Sequence, residues 1–307
     1  MASLLRERFP DKGFRGGRPD PAHLRDLVEG DAAYYKADGS PLLILRRGGV
    51  SPGAAELAYP FLHQLRTSVS TNRANYSGVE KRNRVRKDGL ISNTLVVPPV
   101  STTVVGYFDR SQRFPFCRET ALVSQHPEGW GTLQPLIREV SEIFRAALPQ
   151  RWAAQDQAAR ATHPAYVIAG TPYTTLTVNN TVAAGYHKDS GDYHAGFGCL
   201  MVLRRGEYTG GELILPAWRV GVDLRDRDVI LFDVHEFHGN LPIVGVGPAK
   251  EPEKGGHERI SVVFYFREKM VECLPPAEEA LRARLARGGL DKAPGEARGL
   301  RWTPGEG

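Results

Sequence analysis

Apolar residues fall into two textures along this chain: a helical spacing in the middle and short alternating runs after residue 165. Leu136, Ile137, Val140, Ile143, Phe144 and Leu148 recur every three or four positions, which predicts an amphipathic helix within 133–160. Pro149 should end or kink it, with a second helical piece over 150–161. Leu57, Phe61, Leu62 and Leu65 predict another helix over 54–68. Residues 95–108, rich in Val and Thr with Pro98-Pro99, predict extended chain with a turn. Beyond residue 165, strand-like runs are expected at 165–169, 173–178, 183–187, 198–204, 212–215, 220–224, 228–232, 241–244 and 260–266. Gly and Pro punctuate them, notably Gly210-Gly211 and Pro216, and no helix intervenes. The fold class expected is mainly β with flanking helices (α+β), a jelly-roll or barrel and not a βαβ fold, with the long helix outside the sheet.

Composition draws provisional boundaries. Residues 1–55 are rich in Gly, Pro and Arg, and read as a loosely structured lead-in with short elements around 42–45. We divide the chain into an N-terminal extension with a basic loop (1–110), a catalytic β domain with supporting helices (111–272), and a C-terminal helix with a disordered tail (273–307). The absence of a long apolar run or a signal-like segment predicts a soluble intracellular protein with no membrane partner, and a monomer is expected. Three cysteines, Cys117, Cys199 and Cys273, with no CxxC pair argue against a disulfide scaffold and a zinc–thiolate site. Net charge is +5. It concentrates around Arg73, Lys81, Arg82, Arg84, Arg86 and Lys87, a solvated loop or a phosphate-contacting arm.

The chemistry lies in His187-Lys188-Asp189. On a strand or its end, residues two apart aim the same way, so both side chains can ligate one metal. A later histidine completes a two-His-one-carboxylate face, which suits Fe(II) and leaves positions open. His235 and His238 compete for that role. His238 is preferred because Gly239-Asn240 let the backbone turn closely around a metal, and His235 is then a neighbouring support or pocket wall. Arg259 and Ser261 share one face of the last strong β run, where they can grip a distal carboxylate. The order His-x-Asp, His, Arg is what a dioxygenase dependent on Fe(II) and 2-oxoglutarate requires.

Further motifs narrow the class. Thr177-Val178-Asn179, His187-x-Asp189-x-x-Asp192, Tyr208-Thr-Gly-Gly-Glu-Leu, His238-Gly239-Asn240 and Arg259-Ile-Ser-Val-Val-Phe-Tyr265 resemble the TET/JBP family, over roughly residues 115–270. These dioxygenases oxidise the 5-methyl group of pyrimidines in DNA. The resemblance implies a double-stranded β-helix (jelly-roll or cupin-like), Fe(II) on His187, Asp189 and His238, and 2-oxoglutarate on Arg259, with O2 as oxidant. It also implies that Asp192 reads a flipped base and that Tyr265 stacks on it. Arg267 stands where animal members place a base-contacting histidine, and Asn179 is a candidate for the pocket wall. Arg82, Arg84, Arg86 and Lys87 are candidates for the DNA backbone. 5-Methylcytosine is expected ahead of thymine.

Two alternatives share part of this sequence pattern. A prolyl-hydroxylase-type oxygenase acting on a protein or small molecule would keep the metal and keto-acid residues but not Asp192, Tyr265 or the basic segment. A non-catalytic jelly-roll that binds DNA would not need three ligands and the arginine.

Overall fold

The computed structural model describes residues 3–6, 8–70, 80–85, 91–96, 100–246 and 256–287. Near the N-terminus run β1 (Ser3–Arg6), β2 (Asp26–Val28), β3 (Ala32–Lys36) and β4 (Pro41–Arg46), followed by helix α1 (Pro52–Gln64). Next come β5 (Val69–Ser70), a hairpin of β6 (Glu80–Val85) and β7 (Ile91–Val96), then β8 (Val100–Phe108) and β9 (Arg118–Glu119). Three helices follow: α2 (Ala121–Gln125), α3 (Pro127–Ala147) and α4 (Pro149–Ala161). The remaining strands are β10 (Thr175–Asn180), β11 (Gly198–Gly206), β12 (Tyr208–Gly210), β13 (Leu213–Leu215), β14 (Val220–Val222), β15 (Val229–Phe232), β16 (Gly239–Asn240), β17 (Ile243–Gly245) and β18 (His257–Tyr265). Helix α5 (Pro276–Ala286) closes the described chain.

The strands form a large sheet, β1-β3-β4-β15-β11-β18-β10-β8-β5 with β9 on β8, and a small one, β16-β13-β14-β2. This is the double-stranded β-helix. Strand alternation assigns each side chain to a layer. Ile260, Val262 and Phe264 of β18, with Cys199, Met201 and Leu203 of β11, pack under Leu133, Ile137, Val140 and Phe144 of α3. The intervening Leu200 and Val202 join Leu213, Leu215, Val220 and Val222 between the sheets. On β18 the other face carries Arg259, Ser261, Val263 and Tyr265, which line a cavity.

Helix α1 begins at Pro52 because Ser51 accepts a hydrogen bond from the Ala54 N–H, and proline is well placed in a first turn. The stretch predicted as one helix is two. Leu148 leaves helical geometry at φ −137°, and Pro149 starts α4.

Several expectations are corrected. Residues 165–169 are not a strand: Pro164–Tyr166 form a 3-10 turn, because the His163 ring accepts from the Ala165 N–H. Residues 183–187 are also not a strand; they make one isolated antiparallel bridge, between His187 and His238, beside main-chain bonds of Ala184 with Asn240 and of Tyr186 with Gly16 and Gly17. The boundary at residue 110 is no structural break, since β4 pairs with β15 and β2 with β14. The short element expected around 42–45 is β4, whose Leu42, Leu43, Ile44 and Leu45 are all buried, but β2 and β3 make the lead-in more ordered than expected. Cys117 and Cys273 form a disulfide, although 156 residues separate them, and Cys199 is free and buried. Folding, not spacing, brings that pair together. Arg82 and Arg84 fall on β6, whereas Arg86, Lys87 and the tail 288–307 lie outside the described residues. Among the described residues no helix is long and apolar enough to cross a membrane.

Candidate active site

The three ligand candidates are brought together by main-chain hydrogen bonds. The His187 N–H donates to the His238 carbonyl and the His238 N–H returns the bond, each at 3.0 Å, while the Asp189 N–H donates to Val234 at 2.9 Å. The two imidazole centroids are therefore 4.3 Å apart. One Asp189 oxygen lies 3.6 Å from His187 Nε2 and the other 3.6 Å from His238 Nε2. His187 Nδ1 is 2.9 Å from the Gly185 carbonyl and His238 Nδ1 is 3.0 Å from that of Glu236. A carbonyl only accepts, so each Nδ1 carries the proton and each Nε2 offers a lone pair. Two lone pairs and a carboxylate, all within 4.8 Å of one another, form a donor set for a divalent metal.

His235 is turned elsewhere. Its Nδ1 is 3.3 Å from Asp233 and its Nε2 is 3.3 Å from the Asp192 carbonyl. The hydrogen bond with Asp233 raises its pKa. Asn240 explains the local sequence after His238. Its side chain accepts from the Ala184 N–H and donates to the Val182 carbonyl, both at 3.0 Å, tying the two ligand segments together. A Cβ at Gly239 would sit 2.8 Å from the Ala184 carbonyl oxygen, so the close approach needs glycine.

Behind the triad the cavity of about 390 Å³ is walled by Leu200, Leu213, Phe232 and Val263, with Arg259 and Ser261 among the lining residues. Arg259 is 4% exposed, and among the described residues its guanidinium has no carboxylate within 4.0 Å. Burial lowers its pKa, opposed chiefly by the nearby Tyr208. A buried cation of this kind is costly unless an anion meets it. Gly211, read in the sequence as punctuation and as part of the Tyr208-Thr-Gly-Gly-Glu-Leu motif, lets the arginine pass: a Cβ there, at φ +83°, would lie 3.2 Å from Arg259 Cδ.

Asn179, Asp192, Tyr265 and Arg267 line the same cavity as the ligands. Asn179 accepts from Thr102 at 2.6 Å and approaches the Ser261 hydroxyl at 3.5 Å. The Tyr265 hydroxyl is 3.0 Å from that of Thr177, which fixes the ring along the wall. Asp192 and Arg267 form an isolated antiparallel bridge. Arg267 donates to Asp109 at 2.7 Å, a pairing that no sequence signal announced.

Residues 103–268, more than half of the chain, match the Tet_JBP family, described as the oxygenase domain of the 2OGFeDO superfamily. The chain belongs to this family. Its curated relatives include thymine dioxygenase JBP1 of Trypanosoma brucei brucei, 38% identical over 193 residues, and that of Crithidia fasciculata, 36% identical over 186 residues. These alignments cover 62% and 60% of the chain and 22% of each relative, so the chain spans about a fifth of their length. A solved structure described as NgTET1 in complex with 5mC DNA has a TM-score of 0.53 at 17% identity, covering 84% of this chain and 89% of that one. The likeness is one of fold. An oxygenase domain of this superfamily uses Fe(II), 2-oxoglutarate and O2, and the His187, Asp189 and His238 donor set fits the iron.

Proposed function

We propose that this domain oxidises the 5-methyl group of a pyrimidine in DNA, with Fe(II) on His187, Asp189 and His238 and the distal carboxylate of 2-oxoglutarate on Arg259 and Ser261. The observation that carries the reading is a single cavity holding the metal donors, the trio Asp192, Tyr265 and Arg267, and a buried arginine that meets no carboxylate among the described residues. When bound, iron and 2-oxoglutarate would supply the electrons that activate O2, the oxidant, toward a methyl C–H bond. The chain's own residues do the rest. The Arg259 guanidinium and the Ser261 hydroxyl donate to the distal carboxylate and orient the keto acid. Leu200, Leu213, Phe232 and Val263 exclude water around it.

A base inside a duplex cannot reach ligands that are 9% and 5% exposed, as His187 and His238 are, so the nucleotide is extruded. Asp192 accepts an N–H of the flipped base, the amino group of cytosine or the imino group of thymine, and the Tyr265 ring offers a stacking face. Arg267 borders the base as a donor. Arg82, Arg84, Arg86 and Lys87 serve in this reading as contacts to flanking phosphates, outside the cavity chemistry. The relatives matched in sequence are named thymine dioxygenases, which makes thymine the first base to test, ahead of the 5-methylcytosine that the sequence reading preferred.

The test is anaerobic loading with Fe(II) and 2-oxoglutarate, followed by aerobic turnover on duplexes carrying thymine alone or 5-methylcytosine as well. Nucleoside mass spectrometry should show a 5-hydroxymethyl product and a matching yield of succinate. Succinate formation stimulated by a peptide but not by DNA, with neither base oxidised, refutes the proposal.

A further inference from the structure

We infer that Arg118, clamped between Phe108 and Phe114 and backed by Arg113, is a docking point for the phosphodiester of a nucleotide flanking the one in the cavity. The inference rests on the DNA reading above. Strand β9 pairs with the end of β8, setting Arg118 opposite Phe108. The Arg118 guanidinium lies 4.6 Å from the Phe108 ring centroid and 4.2 Å from that of Phe114. Two aromatic faces hold its plane, so little freedom is lost when an anion binds.

Among the described residues its charge is not neutralised. Nη1 is buried without a hydrogen-bond partner, and burial lowers the pKa. Asp109 is the carboxylate nearby, and Arg267 already occupies it at 2.7 Å. Glu119 follows on β9, where the period of two sends it to the other face. Arg113, exposed, lies over the same Phe114 ring at 5.2 Å. Arg118 and Arg267 therefore share Asp109, which Arg267 holds by hydrogen bond, so Arg118 keeps no hydrogen-bonded carboxylate among the described residues while Arg113 adds a solvated positive charge beside it.

Arg267 connects this cluster to the cavity, because it lines the cavity and also lies 5.9 Å from the Phe108 ring. An anion on Arg118 is thus one residue removed from a base held by Asp192 and Tyr265. A phosphodiester meets the Arg118 charge in the way arginine best serves, through a planar two-pronged contact.

The experiment compares the full chain with its Arg118→Gln and Arg118→Lys variants, using a fluorescent duplex and anisotropy across a salt series. Arg118→Gln should weaken binding about tenfold or more near physiological salt and reduce the slope of log K against log salt by about one. It should raise KM for DNA with kcat nearly kept. Arg118→Lys, which keeps charge but loses the planar fork, should recover the salt slope and only part of the affinity. Anaerobic 2-oxoglutarate binding by the iron-loaded protein should be unchanged in both, which separates a local loss from misfolding. Unchanged DNA affinity and slope in Arg118→Gln, with the parent still oxidising DNA, overturns this inference alone. A parent protein that neither binds nor oxidises DNA overturns the functional reading and the inference with it.

Discussion

Replacing Arg259 with Met should make the ligand-free protein more stable and its 2-oxoglutarate complex much weaker. Arg259 is 4% exposed and has no carboxylate within 4.0 Å among the described residues, so the free protein bears a buried cation that Glu212 and Asp223 favour only from a distance. Methionine fills a similar volume without that charge, which should stabilise the ligand-free fold by about 1–3 kcal/mol. The complex loses a two-pronged charged contact in a desolvated site, for which about 3 kcal/mol is a moderate figure. That corresponds to a rise in Kd of more than about a hundredfold. Calorimetric titration of 2-oxoglutarate into the anaerobic Fe(II)-loaded protein measures the second effect, and urea unfolding without ligand measures the first. The parent should gain about 2.7 kcal/mol of stability at 2-oxoglutarate concentrations near a hundred times Kd, whereas the variant should gain little. A variant that is less stable without ligand, yet binds 2-oxoglutarate as tightly as the parent, refutes the argument that the arginine is held in wait for an anion.

Other substitutions test neighbouring parts of the site. His238→Ala should lower iron affinity by more than about a hundredfold while His235→Ala retains it, read by metal titration of the two proteins. Gly211→Ala places a methyl group against Arg259 Cδ at a backbone φ of +83° and should weaken 2-oxoglutarate binding about tenfold, again by calorimetry, with iron affinity kept. Burial opposes ionisation of Glu279, but hydrogen bonds from Arg110 and from the Leu274 and Cys117 N–H groups outweigh it and lower its pKa. Its contribution is therefore present above the usual carboxylate pKa and lost as pH falls through the lowered value. Glu279→Gln should cost about 1–3 kcal/mol at neutral pH and flatten the acid limb of a stability-versus-pH curve measured by urea unfolding.

The parts of the fold legible in the sequence are those where one periodicity governs both faces of an element. Strand β18 is an example: Ile260, Val262 and Phe264 face the helices while Arg259 and Ser261 face the cavity, and both sets follow from alternation. Helix α3 likewise declared its buried face through Leu136, Ile137, Val140 and Phe144. The ligand segments followed a different logic. His187 and Asp189 sit on irregular chain fixed by hydrogen bonds to Val234 and His238, partners far along the chain that alternation cannot reveal. The role of β2 and β3 was hidden for a similar reason, since a Gly-rich approach conceals strands stabilised by β14 and β4. Neither the Asp109–Arg267 pair nor the Cys117–Cys273 bond has a local signature; each is a product of how β8, β9 and the chain after β18 converge.

The disulfide bears on how this domain comes apart. Cys117 and Cys273 enclose a covalent ring that contains His187, Asp189, His238, Arg259 and every residue proposed to touch the base. A single proteolytic cut anywhere within that ring leaves the two fragments joined, so the catalytic residues stay on one covalent particle. The cut should be invisible on a denaturing gel run without thiol and appear as two bands only after reduction. Damage to the exposed connections of the barrel is thereby separated from loss of its parts, for as long as the ring stays oxidised.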